Sequence, residues 1–288
     1  MGLETFLLGN EAAVRLSAFA GVLAAMVAWE VLAPRRAQKL SRRRRWPANL
    51  AIVTLNTVLL RLLVPAAAVG VALSAASHGW GLLNYYAVPS WAALVVGFVL
   101  LDLAIYLQHV MFHAVPVLWR LHRMHHADLD IDVTTGARFH PIEIALSMLI
   151  KVAVIAALGV PPVAVVLFEI VLNATSMFNH ANVRIAGRLE RVLRWLVVTP
   201  DMHRVHHSID RRETNSNFGF NLPLWDRLFG TYRAQPRAGH QAMTIGIPDF
   251  RDPAECATLS GMLGIPFRGV SPPPAERLEP RASARIEV

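Results

Sequence analysis

The chain has 288 residues, 54% hydrophobic and 17% charged, with 28 Lys and Arg against 20 Asp and Glu and a net charge of +8. Soluble domains carry about 25% charged residues, so a mean hydropathy of +0.40 argues against an ordinary water-soluble protein. The one cysteine, Cys256, excludes a disulfide framework, a CxxC zinc ribbon and a cysteine-held iron–sulfur cluster.

In chain order, residues 14–33 are the first segment able to cross a bilayer, which takes about 20 mostly apolar residues. No basic stretch precedes it and one follows it, so it reads as a retained anchor rather than a signal peptide. Arg35, Arg36, Lys39, Arg42, Arg43, Arg44 and Arg45 fill the loop 34–48, ahead of a second apolar segment at 50–75. The run Arg42–Arg45 could suggest nucleic acid. However, the next loop, 76–90, has no Lys or Arg and holds Trp80, Tyr85 and Tyr86, with Trp91 beside it. That contrast is the positive-inside pattern with an aromatic belt, which puts 34–48 in the cytoplasm and 76–90 outside. Nucleic acid is therefore excluded as a partner.

A third apolar segment covers 91–113. The apolar pair 144–159 and 161–179 is broken by Gly159, Val160, Pro161 and Pro162, because proline cannot continue a helix interior. Each half is short for a full crossing, so the pair reads as a hairpin that enters and returns, or as two tilted spans. Residues 115–127 and 184–209 suit amphipathic helices lying along the cytoplasmic surface, with arginines at phosphates and apolar faces inward. Residues 215–232 read as a loop and short helix capping the histidine helices. Residues 253–266 suit a short docking helix, and 271–288 a disordered tail. The expected fold is all-α: an integral membrane bundle of about four to five hydrophobic helices under a cytoplasmic histidine-rich cap. Its expected divisions are N-terminal transmembrane helices over 1–90, a catalytic domain over 91–235 and a partly disordered cytoplasmic tail over 236–288.

Twelve histidines occur in the chain, and eight of them fall in three motifs: His109-V-M-F-His113, His122-R-M-His125-His126 and His203-R-V-His206-His207. Chance would place roughly 0.02 HxxHH triplets in such a chain. On a helix, positions i, i+3 and i+4 share a face with Cβ atoms about 5–6 Å apart, so each triplet presents three imidazoles to one side. His140 and His180 stand singly between the motifs, while His78 and His240 read as ordinary structural histidines. Ten clustered imidazoles exceed the roughly four ligands of one tetrahedral site and point to two metals. Thiolate-free imidazole ligation suits iron or zinc, and the pattern alone does not separate them.

Metal-ligating histidines donate their other N–H to carboxylates or carbonyls. Candidate supports are Asp102, Glu143, Asp201 and Asp226. Glu169 lies within an apolar segment and reads as a structural partner of Lys151, and Asp128, Asp130 and Asp132 read as a solvated acidic loop. The chain has no GxGxxG and no GxxxxGK[ST], so no internal nucleotide or flavin site is visible, and electrons must come from another protein. It also lacks the HExxH of a zinc hydrolase. A metal transporter would place its ligands near the midplane of the spans, whereas these histidines sit at span ends and beyond. The apolar side chains Phe112, Trp119, Phe139, Met148, Phe178 and Trp195 are candidates for contact with a substrate.

The order HxxxH, HxxHH, single histidines, HxxHH, together with F139-H-P-I-E143, N179-H-A-N182 and W225-D-R-L-F-G-T-Y232, resembles the fatty acid hydroxylase / sterol desaturase superfamily of membrane di-iron oxygenases. The resemblance covers roughly residues 90 to 235. It implies two iron ions, O2 as co-substrate, and hydroxylation or desaturation of an unactivated C–H position of a fatty acyl, sterol or alkyl lipid. It further implies that His109, His113, His122, His125, His126, His140, His180, His203, His206 and His207 form the ligand set. No HPGG haem motif is present, so an external ferredoxin or cytochrome b5-like donor with its reductase is implied. The expected location is a membrane of the bacterial inner-membrane type, with the metal site on the cytoplasmic face.

Overall fold

The computed structural model describes residues 2–63 and 67–269; the expected disordered tail, 271–288, lies outside the described residues. Helices α1 (Leu3–Gly9), α2 (Glu11–Leu32), α3 (Arg42–Leu63), α4 (Ala67–His78) and α5 (Leu82–Tyr85) lead to the long α6 (Ser90–Ala114). Then come α7 (Pro116–His126), α8 (Pro141–Leu158), α9 (Pro162–His180), α10 (Gly187–Leu196) and α11 (Pro200–His206). Short helices α12 (Arg211–Thr214), α13 (Leu224–Leu228), α14 (Gly239–Ala242), α15 (Pro253–Cys256) and α16 (Leu259–Gly264) follow among the described residues. Among the described residues there are five segments long and apolar enough to cross a membrane: Glu11–Leu32, Arg42–Tyr85, Ser90–Ala114, Pro141–Leu158 and Pro162–His180. The molecule is an all-α, integral-membrane type of bundle.

The break between α8 and α9 follows from its residues. Gly159 closes α8 in the left-handed conformation, φ 68°, which glycine adopts without the Cβ penalty of other residues. Pro162 then opens α9 in its first turn, where a missing N–H costs nothing. The two helices are therefore joined by a tight turn, and each packs against α4 and α6. A core of apolar side chains (Ala68, Ala72, Leu101, Ile155, Ala164, Val165 and Phe168 among them) joins α4, α6, α8 and α9. This rigid unit brings the end of α6, the start of α8 and the end of α9 together at one end of the bundle.

That end is covered by a second apolar cluster: Ile52 of α3, Met124 of α7, and Ile247, Phe250, Met262 and Ile265 from the C-terminal segment. Residues 243–267 are thus folded against α3 and α7, and the expected docking helix at 253–266 becomes α15, α16 and a 3-10 turn.

Two charge readings change. The loop Asp128–Asp130–Asp132 is buried rather than solvated. Arg45 donates to both oxygens of Asp128 at 2.8 and 2.7 Å and to Asp132 at 2.5 Å. Asp130 accepts the backbone N–H groups of Lys39 and Leu40 at 2.5 and 2.8 Å. The acidic run is interior because the neighbouring basic run supplies its counter-charge. Accordingly, the basic residues read as filling the loop 34–48 lie partly in α3, and several are paired within the protein. Arg42 pairs with Glu30 at 3.3 Å, Arg35 with Asp201 at 3.0 Å, and Arg45 is fully enclosed in α3.

Burial raises the Asp128 carboxyl, but Arg45 and Arg138 outweigh it and hold the group at about 2. Its contribution to stability is therefore present above its unfolded value of about 3.9. It is lost as pH falls through the folded value. Acid unfolding of the purified protein is expected to steepen between about pH 4 and pH 2, and the Asp128→Asn variant should lack that added steepness.

Candidate metal centre

Nine of the ten expected histidines converge. His109, His113, His122, His126 and His206 form one group and His125, His180, His203 and His207 a second, with the ligand atoms of each group within 4.8 Å of one another. The two motif helices divide their histidines between the groups. Helix α7 gives its i, i+4 pair, His122 and His126, to the first group and His125 to the second. Helix α11 and its C-cap reverse this, giving His203 and His207 to the second and His206 to the first. The i+3 residue is rotated from the i, i+4 pair, so two helices facing each other each reach both groups.

Most outward ring nitrogens are held. The Nδ1–H of His109 donates to the Phe218 carbonyl at 2.7 Å, that of His206 to Ser216 at 2.8 Å, that of His125 to Arg138 at 3.2 Å, and that of His180 to Ser176 at 2.7 Å. His122 donates to Glu143 at 2.6 Å and His113 to Asn215 Oδ1 at 3.1 Å. A carbonyl only accepts, so these partners fix the proton on Nδ1 and leave the Nε2 lone pair facing inward.

The inward nitrogens then meet without hydrogens between them. The Nε2 atoms of His125 and His180 lie 3.2 Å apart, and those of His109 and His122 lie 3.1 Å apart. Lone pairs facing at such distances repel unless a cation draws both. Two nitrogens bound to one ion at about 2.0–2.1 Å and right angles would stand about 3.0 Å apart. His206 Nε2 and both ring nitrogens of His207 are buried without a hydrogen-bond partner, which is costly unless something else satisfies them. Burial first, then the neighbouring imidazoles, hold His125, His126, His203, His206 and His207 well below the ordinary histidine value. They are neutral bases at pH 7, ready to ligate without first releasing a proton. The donor set fits two imidazole-held metal ions.

His140 stands outside both groups. It is the N-cap of α8: its Nδ1 accepts the Ile142 N–H at 3.2 Å, with Pro141 in the first turn. The signal was present in the sequence, since a polar residue followed by proline marks a helix start.

Of the four candidate supports, Glu143 alone touches a clustered histidine, His122. Asp226 accepts the N–H groups of Phe218 and Gly219 at 2.7 and 2.8 Å, and Asp102 accepts from Trp225 Nε1 at 2.8 Å. Both therefore pin the 218–226 segment, whose Phe218 carbonyl holds His109. Asp201 instead pairs with Arg35 and Arg204. Glu169 is paired with Lys151 as expected, and with Arg15 at 3.0 Å.

Among the apolar candidates, Phe139 stacks on His125 (ring centroids 4.4 Å), Trp119 packs on His113 at 4.9 Å, and Phe112 lies 5.9 Å from His122. Met148 belongs to the core between the spans, Phe178 packs on Trp29, and Trp195 faces outward. Sequence reasoning missed Phe218 and Phe220. Phe220 touches a histidine of each group, His109 at 5.2 Å and His203 at 6.0 Å. It also missed the carbonyl acceptors, which no side-chain motif encodes. Gly136 is a further silent requirement. A Cβ there would stand 2.5 Å from the Ser176 carbonyl and 3.1 Å from His180 Nδ1, so only glycine lets the 127–138 loop seat against α9.

Fold and site together describe a helical, membrane-type protein with two adjacent, largely buried histidine groups, each able to hold a metal ion. Residues 94–231, just under half of the chain, match the model of the fatty acid hydroxylase family. It is 31% identical over 150 residues to the ornithine lipid hydroxylase OlsE of Rhizobium tropici, covering 52% of this chain and 44% of that protein. It is 31% identical over 148 residues to human alkylglycerol monooxygenase, covering 51% and 31%. To the fatty acid hydroxylase vlmA of a Lecanicillium species it is 26% identical over 166 residues, covering 52% and 45%. The chain thus spans less than half the length of these relatives. No solved structure matches it.

Proposed function

We propose that this chain is an O2-dependent di-iron oxygenase that hydroxylates an unactivated C–H bond of a membrane lipid. The observation that carries the reading is the pairing of inward, proton-free Nε2 atoms across two adjacent histidine groups at the end of the membrane helices. Iron held there would supply the redox chemistry that activates O2. One oxygen atom enters the C–H bond and the other leaves as water. The two electrons come from an external ferredoxin or cytochrome b5-like donor, and the two protons from solvent.

The residues of the chain have separate tasks in this reading. His109, His113, His122, His126 and His206 hold one iron, and His125, His180, His203 and His207 the other. Glu143 keeps the His122 proton on Nδ1, and the Phe218, Ser216, Arg138 and Ser176 carbonyls do the same for four more rings. The phenylalanines at 139, 218 and 220 exclude water from the rings they cover. The metal face is assigned to the cytoplasm, where a soluble donor would reach it.

A lateral route for the alkyl chain is supported by a cavity of about 190 Å³ between α3 and α8, lined by Leu59, Leu60, Leu63, Ile142 and Ile144. Its one polar lining residue, Asn56, donates to the Phe139 carbonyl at 2.9 Å, and the Phe139 ring lies on His125. Filling the groove with Ile142→Trp is expected to cut lipid turnover at least about tenfold, as misplacement of a substrate does, while metal content stays that of the wild type.

The direct test supplies reduced donor, O2 and candidate lipids to the purified, iron-loaded protein and reads product mass. Gain of one oxygen supports hydroxylation, and loss of two hydrogens would mean desaturation on the same centre. The relatives' names, hydroxylases and a monooxygenase, favour the former. Binding of two irons with no O2 consumption on any lipid would overturn the enzyme reading in favour of a metal-binding or transport protein.

A further inference from the structure

Helix α10 is amphipathic in the reverse sense for a helix that faces water. Its inward side carries the Glu190–Arg194 ion pair at 2.8 Å. Thr199 donates to Glu190 at 2.5 Å, and Arg194 donates to the Ala234 carbonyl at 2.8 Å. These two residues are only 8% and 7% exposed, whereas outward-facing Leu189, Val192, Trp195 and Leu196 are 51–69% exposed. The sequence reading expected apolar faces inward over 184–209, and α10 does the opposite because its inner face is occupied by this polar network.

The apolar face continues onto α13. Arg227 donates to the Arg194 carbonyl at 2.9 Å, and its guanidinium lies 3.8 Å over the Trp195 ring. Next to it, Leu228 and Phe229 are 65% and 51% exposed. Phe229 stacks on Tyr106 of α6 with centroids 5.4 Å apart. Tyr106 lies eight residues before Ala114, the end of α6, about 12 Å back along the helix at 1.5 Å per residue. The patch therefore runs beside the last two turns of a membrane-type helix rather than beyond its end. Arg191 is exposed beside the apolar face of α10 and Arg188 is exposed in its first turn, placed to meet anionic headgroups. An exposed apolar patch of this kind marks an interaction surface.

We propose that α10 and α13 form an interfacial paddle immersed in the headgroup–acyl boundary of the leaflet at the histidine end. The lipid bilayer is the occupant of the apolar face, and Arg188 and Arg191 sit against anionic lipid phosphates. This depends on the membrane bundle and not on the oxygenase chemistry.

The test places a nitroxide at Val192→Cys in the full chain, reconstituted in vesicles of equimolar phosphatidylcholine and phosphatidylglycerol. The sole native cysteine, Cys256, is buried and does not compete for the label. A reference label goes at Arg237→Cys, where the side chain is 70% exposed. At position 192 relaxation by O2 should exceed that by a water-soluble nickel chelate several-fold, and at 237 the order should reverse. Equal access of the chelate to both positions would overturn the proposal. So would shielding of position 192 from both agents, which would put protein on that face. Replacing both Arg188 and Arg191 by Gln should abolish the deeper immersion gained on adding phosphatidylglycerol to pure phosphatidylcholine. An unchanged response would contradict the assignment of the arginines.

Discussion

His125→Ala is expected to lose at least one metal per chain and to lower lipid turnover by more than about a hundredfold, since even supports behind a ligand cost 10–100-fold when removed. His140→Ala should keep both metals. The contrast separates the two histidines by position rather than by residue type. His125 points Nε2 at His180 across 3.2 Å and is fixed behind by the Arg138 carbonyl. His140 uses its ring to cap α8, so its loss costs about 1 kcal/mol of helix-cap stability. Metal analysis of the two variants, purified from membranes in parallel, checks the pair. Equal metal loss in both would restore His140 to the ligand set.

Arg45→Met should destabilise the protein by about 3–5 kcal/mol, the cost of leaving buried carboxylates without their cation. Arg45 is enclosed and binds Asp128, Asp132, the Asp130 carbonyl and Thr135 Oγ1. Arg45→Lys keeps the charge but cannot reproduce the two-pronged contact with Asp128, so a smaller loss is expected. The same loop ends at Arg138, whose carbonyl holds His125. The second histidine group should therefore weaken before the first, as graded chelator titration alongside thermal denaturation would show. Release of both metals at the same chelator concentration would contradict that coupling.

The spans and the histidine motifs were legible because each is a local pattern. Apolar length marks a helix able to cross lipid, and HxxHH marks one helical face. Division of the histidines between groups was not legible. It depends on α7 and α11 meeting face to face, which exchanges the roles of their i, i+3 and i+4 positions. The supports were only partly legible. Glu143 was reachable as a carboxylate three residues after His140, but nothing in the sequence ranked it above Asp201, two residues before His203. The acceptors for His109, His125, His180 and His206 are backbone carbonyls, which carry no residue signature. Acidic Asp128, Asp130 and Asp132 misled for a related reason: their partners, Arg45 and the N–H groups of Lys39 and Leu40, lie more than 80 residues away. The reversed face of α10 was hidden because its outward side is apolar in composition yet faces away from the protein.

The most direct test of the two-group centre is metal stoichiometry after anaerobic iron loading of the purified full chain, read with the His125→Ala and His206→Ala variants. Two irons per chain in the wild type are predicted, with loss beginning in the second group for His125→Ala and in the first for His206→Ala. A wild type that holds one metal, or variants that both retain two, would contradict it.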